Sequence, residues 1–276
     1  MEARHRARRY LLGEDVDRPP FVAFATDLTA RLAQTTPAAL FADPQTLTQS
    51  FMETVAVCEL ESVLLAPPTE AVRTAVAGEP EAPELAVTGE AIVRLRTLLE
   101  DRAALILALP GPLELAATMG GASDEDTLDE IVAALLRITQ SMHPPALDIV
   151  AVVEREVPGG DEEMLGSALA SLWNSAHYYS MPGLLLAASG GELIARTRAD
   201  AVAVWDGTDP ATLLTAGARR VGVPVPLSAF LPEAEELSRL PAGGFFVSRG
   251  EIPAEAEVAR VRTVAELATR TPPGGS

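Results

Sequence analysis

The chain has 276 residues, with 39 acidic against 21 basic side chains and a formal net charge of -18, a balance that repels a phosphate backbone or an anionic bilayer. Every basic residue other than the three histidines is Arg, so a lysine Schiff base, a covalently held pyridoxal phosphate and a Walker A lysine are excluded. Hydrophobic residues make up 48% of the chain and aromatics 4%, so Ala, Val and Leu must build the core, as they do where helices cover a buried parallel sheet.

Read from the N-terminus, the one basic patch comes first: Arg4, His5, Arg6, Arg8 and Arg9. A solvated N-terminal helix is the plain reading, and a binding arm is its rival. No apolar run with a small-residue cleavage site follows, so the segment does not read as a signal peptide. A first strand is predicted at residues 21–25. A helix over 44–60 opens after Asp43 as N-cap with Pro44 at its first position. Cys58 lies on its apolar face, reads as buried and inert, and cannot form an internal disulfide alone, which fits a reducing cytoplasm. Strands at 62–66 and 104–109 flank a Pro- and Glu-rich stretch, 77–87, that reads as an exposed loop or short lid. A helix over 124–142, capped by Ser123, leads to a strand at 148–153. A helix over 162–179 leads to strands at 183–188 and 201–205. Helix 210–220 starts after Asp209, strands follow at 223–227 and 244–248, and helix 255–269 precedes a fraying tail. No apolar run approaches the ~20 residues needed to span a bilayer.

Eight short apolar runs alternating with helical segments are the βαβ signature. The expected fold is α/β, a single (β/α)₈ TIM barrel over residues 1–276, with 1–19 as an N-terminal extension. An open doubly wound sheet is the rival, but its G-x-G-x-x-G fingerprint is absent.

Several segments carry a family resemblance. Leu12-Gly13-Glu14-Asp15-Val16-Asp17-Arg18-Pro19-Pro20, Ala108-Leu109-Pro110-Gly111-Pro112-Leu113-Glu114-Leu115-Ala116, Ala199-Asp200-Ala201-Val202-Ala203-Val204-Trp205-Asp206 and Phe245-Phe246-Val247-Ser248-Arg249-Gly250-Glu251-Ile252-Pro253 resemble, in order and spacing, the uroporphyrinogen decarboxylase superfamily and its corrinoid-dependent zinc methyltransferases. The resemblance implies a barrel acting by one-carbon (methyl) transfer or decarboxylase-type lyase chemistry, with a corrinoid protein as a partner for the former. The departures matter as much. The methyltransferase branch places His-x-Cys at the end of the fifth strand and a thiolate after the eighth. Here the fifth strand ends Leu185-Leu186-Ala187-Ala188-Ser189, and Glu251 stands at the later position, so thiolate-bound zinc is not expected. The Arg-rich loop and the Asp with which uroporphyrinogen decarboxylase grips its substrate are also missing, which argues against a porphyrinogen.

Chemistry in such barrels sits at the C-terminal ends of the strands. There the sequence offers Arg249, Glu251, Asp206 and Glu154 as candidate catalytic groups, and Asp27, Ser189, Trp205, Ser228 and Gly250 as candidate substrate contacts, with Glu156 and Asp209 nearby. If Glu154, Asp206 and Glu251 converge, repulsion raises a pKa and makes an acid or base, or the oxygens hold a hard divalent cation such as Mg²⁺. The plain alternative is that each carboxylate caps a helix or faces water, and for Asp209-Pro210 capping is the simplest role. Arg249 is expected in the barrel mouth, gripping an anionic group, with a rim ion pair as its rival. The expected substrate is small and organic. A decayed, non-catalytic binding barrel is the alternative class. His143 and His177 fall near the opposite end, and Tyr178-Tyr179 reads as helix-end packing or the contact of a homodimer.

Overall fold

In the computed structural model, residues 1–79, 82–120, 124–155, 162–189, 197–206, 208–232 and 244–270 are described. They form a single (β/α)₈ barrel. The strands are β1 (Phe21–Phe24), β2 (Ser62–Leu65), β3 (Ala104–Pro110), β4 (Ile149–Glu154), β5 (Gly183–Ala187), β6 (Ala201–Val204), β7 (Val221–Val225) and β8 (Phe245–Glu251). All adjacent pairs in the order β1-β8-β7-β6-β5-β4-β3-β2 run parallel. At the remaining seam, the Ser62 hydroxyl donates to the Phe21 carbonyl at 2.8 Å. The helices are α1 (Ala3–Leu11), α2 (Thr26–Leu32), α3 (Pro37–Leu40), α4 (Pro44–Cys58), α5 (Thr69–Val76), α6 (Pro83–Leu99), α7 (Pro112–Thr118), α8 (Glu125–Ser141), α9 (Glu162–Tyr178), α10 (Pro210–Thr215) and α11 (Val258–Arg270).

Period-2 alternation divides the strand residues between two cores. Val22, Phe24, Ile106, Ala108, Ala151, Val153, Leu186, Ala203 and Phe245 fill the lumen. Their neighbours Leu105, Leu107, Val150, Val152, Leu185 and Val202 pack outward against the helical ring. Small alanines from β3, β4 and β6 leave room for the aromatic rings of β1 and β8.

Helix α1 closes the N-terminal end of this lumen, with Ala7, Tyr10 and Leu11 buried in the same core. The solvated-helix expectation is thereby corrected. Arg6 is only 3% exposed; its Nε donates to Asp17 at 2.9 Å and its Nη1 to Glu61 at 2.7 Å, and Arg18 also pairs with Glu61. Arg4 Nε donates to the buried Asp148 at 2.6 Å. Through Arg4 and Arg6 the helix is a plug paired with carboxylates on the barrel floor, while His5 and Arg9 stay exposed on its outer face.

Local sequence rules account for most element ends. Asp43 accepts from Thr46 N and Asp209 from Ala211 N, as expected of N-caps. The cap of α8 is Asp124, which accepts from Thr127 N, while the expected cap Ser123 lies outside the described residues. Residues 83–87, expected within a loop, begin α6: Pro83 occupies its first turn, and Leu85, Ile92, Leu95 and Leu99 bury one face. Helix α10 stops at Thr215, well before 220, because Gly217 takes φ +113°. Cys58 is fully buried, and burial pushes its thiol up to about 11.

Candidate active site

The C-terminal strand ends surround a cleft of about 290 Å³, bounded by β8, β1, β2, β3 and β4. Phe24, Phe41, Ala108 and Leu109 supply much of its apolar lining. The charged groups reaching it are Asp27 and Glu251 from the β1–β8 side and Arg155 from the end of β4.

Glu251 arrives there because β8 bulges. Val22 pairs with Val247, but Phe24 pairs with Glu251, so two extra residues stand on β8. Ser248 fills the irregularity: its Oγ accepts from Phe24 N at 2.9 Å and donates to the Gly250 carbonyl at 2.8 Å. Gly250 adopts φ +134°, a conformation that a side chain would strain. The two-residue insertion preserves parity, so Glu251 returns to the lumen side, as Val247 does. Its Oε2 accepts from the backbone N–H groups of Thr26 at 2.8 Å and Asp27 at 3.4 Å, at the start of α2. Burial raises its pKa, and neighbouring Asp27 adds to the rise, against the pull of those N–H donors.

Arg249, inside the bulge, is exposed and is not part of the cleft lining. Glu154 is fully buried and continues the outward parity of Val150 and Val152. Its oxygens accept from Leu113 N and Glu114 N, both at 3.0 Å, at the start of α7. Burial, with a smaller contribution from Glu114, lifts its pKa to about 8. Asp206 is exposed and accepts from Thr208 N at 2.9 Å. The three carboxylates proposed to converge therefore each turn to a different stretch of backbone. Ser228 is exposed and Ser189 half-buried, both away from the cleft lining, and Glu156 lies outside the described residues. Trp205 is 8% exposed, packs edge-on against Phe24 with ring centroids 6.1 Å apart, and holds a buried indole N–H without a hydrogen-bond partner among the described residues. Of the candidates, the structure brings Asp27 and Glu251 together beside Gly250, with Trp205 behind Phe24.

Arg155 was not among the candidates. Ile149, Ala151 and Val153 face the lumen, so the β4 parity that sends Glu154 outward sends Arg155 to the cleft. Its Nη1 donates to Glu114 Oε1 at 3.1 Å, and its backbone N–H reaches Glu114 Oε2 at 3.3 Å.

Glu154 also explains Gly111. A Cβ there would lie 2.0 Å from the Glu154 carboxyl carbon. Gly111→Ala is expected to displace the carboxyl from its two donors and to cost about 2–3 kcal/mol. In a double-mutant cycle with Glu154→Ala, measured by urea unfolding, the pair should cost clearly less than the sum; additive costs would mean that the two sites do not meet.

The donor set does not fit a thiolate-bound zinc. At the end of β5 the lumen-side residues are Leu186 and Ala188, and Cys58 is buried in the outer core beside β1, β8 and α11. Among the described residues, the one group of three His, Cys, Asp or Glu ligand atoms close enough for a shared ion is Glu2, His5 and Asp101, on the plug side. No helix among the described residues is long and apolar enough to cross a membrane.

No protein-family model and no curated protein matches the chain. Among solved structures, a methyltransferase from Methanosarcina mazei is similar in fold, with a TM-score of 0.77 and 14% identity over 97% of this chain and 98% of that one. At that identity the likeness establishes the barrel and its whole-chain extent.

Proposed function

We propose that the chain is a barrel enzyme of the methyl-transfer type acting on a small organic molecule in the cleft. Glu251 moves a proton at the reacting heteroatom, while Asp27 and Arg155 hold the substrate's polar ends. One observation carries the reading: the half-buried carboxyl of Glu251, its pKa raised by desolvation, lines a cleft at the end of the barrel where this fold does its chemistry. The similar fold of a methyltransferase supports the reaction class, although fold alone does not supply chemistry. A nucleophile X–H loses its proton as it takes a methyl group, and a carboxylate of raised pKa is the better base for it near neutral pH. The cleft is sized for the small reactant, and a corrinoid protein is the methyl carrier under this reading. Decarboxylase-type lyase chemistry would use the same carboxyl as the acid that protonates a carbanion.

A non-catalytic binding barrel is the second reading, favoured by the apolar end of β5 at Leu186 and Ala188. One assay separates them. Purified protein is incubated with methylcobalamin and a panel of small thiols and amines, and loss of the methyl-corrinoid absorbance is followed. Protein-dependent methyl transfer is expected, slowed about 100-fold or more by Glu251→Gln. Calorimetric binding of the panel without any transfer would replace the enzyme with the binding barrel.

A further inference from the structure

The polar groups of the cleft are opposed in sign across an apolar middle. Asp27 and Glu251 stand at the β1–β8 wall and Arg155 at β4, with Phe24, Phe41, Ala108 and Leu109 in the same lining. β1 and β4 are three strand positions apart around the barrel. At about 4.8 Å per position the backbones stand roughly 14 Å apart, a gap that the long Arg155 side chain narrows from its side of the one cleft all three groups line.

The cation is held but not used up. Glu114 engages Arg155 through Nη1 and the backbone N–H, which leaves Nε and Nη2 without a hydrogen-bond partner among the described residues. Glu114 is itself fixed, since its own N–H donates to the buried Glu154 carboxyl at 3.0 Å. A guanidinium steadied on one side and open on the other is suited to bidentate capture of a carboxylate. At the opposite wall, both backbone donors to Glu251 converge on Oε2. That leaves Oε1, and the side chain of half-buried Asp27, for a positive group. Phe24 and Phe41, each 3% exposed, contribute an apolar edge between the two walls against which methyl groups can pack. A substrate with only negative charge would meet Asp27 and Glu251, and one with only positive charge would meet Arg155.

We infer that the cleft is built for a small zwitterion whose carboxylate lies on Arg155 and whose ammonium or methylated ammonium group lies against Asp27 and Glu251. This rests on the cleft being the substrate site, and it replaces the anionic substrate expected from Arg249.

Isothermal titration of the full chain with three isosteric probes tests it: trimethylglycine, which carries both charges; tert-butylacetate, which keeps the carboxylate and replaces nitrogen by carbon; and choline, which keeps the cation. Trimethylglycine should bind about 10- to 100-fold more tightly than either single-charge probe, the range expected for one charge-assisted contact. Arg155→Met should remove its advantage over choline, and Asp27→Asn should shrink its advantage over tert-butylacetate. Equal affinity for trimethylglycine and tert-butylacetate, no binding of any probe, or a preference untouched by both substitutions would overturn the zwitterion. Binding is read here and turnover in the methyl-transfer assay. Zwitterion binding without turnover removes the enzyme reading alone, and turnover with a singly charged substrate that outbinds trimethylglycine removes the zwitterion alone.

Discussion

Between pH 5 and pH 9 the wild-type protein is expected to lose about 4 kcal/mol more unfolding free energy than its Glu154→Gln variant. Glu154 is fully buried, and its carboxyl is raised from 4.5 in the open chain to about 8 in the fold. The folded state therefore binds this proton more tightly than the unfolded state does. The resulting stability is fully present below about pH 4.5 and is lost as pH rises through 8. At about 1.4 kcal/mol per unit, the whole change is roughly 4–5 kcal/mol. Glu251, raised by burial, contributes in the same direction. Because a chain of net charge -18 has other reasons to weaken at high pH, the informative quantity is the difference between the two urea-unfolding profiles. The glutamine cannot ionise, so any constant cost of its misplaced amide cancels. Parallel profiles would mean that Glu154 is already ionised in the fold at neutral pH, with the two α7 N–H donors outweighing burial.

The same carboxyl shows where sequence reading succeeded and where it stopped. The barrel was legible because each strand is a short apolar run, buried on both faces, whose end is marked by a turn or cap residue; Asp43 and Asp209 sit where their side chains imply. The short helices α2 and α7 were not legible, since seven residues carry too little periodicity to register. At the mouth, proximity to a strand end was a weaker guide than parity. Counting outward from Ile149 and Val153 would have selected Arg155 over Glu154, because a one-residue step changes the face. Parity alone would still have failed at β8, where it favours Arg249 along with Glu251. The bulge around Ser248 and Gly250 separates them, and it depends on a side-chain bond to Phe24, more than two hundred residues away in sequence. The role of the basic N-terminal patch was not legible for a related reason. Its partners Asp17, Glu61 and Asp148 are assembled only when the barrel floor closes.

That floor yields the second large effect. Asp148 is 1% exposed and accepts from Arg4 Nε at 2.6 Å, Arg96 Nη1 at 2.6 Å and the backbone N–H of Leu105 at 2.9 Å. It ties the plug helix, α6 and the start of β3 to one carboxylate. Asp148→Ala removes the acceptor and leaves the largely buried Arg96 guanidinium and one strand N–H without it, while Arg4 keeps only its longer pairing with Asp101 at 3.3 Å. Breaking a buried ion pair in this way costs about 3–5 kcal/mol, which for a barrel of this size lowers the melting temperature by roughly 10 °C. Arg155→Met should behave oppositely. Arg155 is 56% exposed at its side chain, and an ion pair that open to water contributes only about 0–1 kcal/mol. Its loss should leave the melting temperature nearly unchanged and show up in ligand affinity. The two variants, compared by differential scanning calorimetry and by titration with trimethylglycine, test whether stability and recognition are divided between the two ends of the barrel. A melting temperature unmoved by Asp148→Ala would show that the plug is not held by this carboxylate. If Arg155→Met unfolds the protein as severely as Asp148→Ala, Arg155 is part of the scaffold.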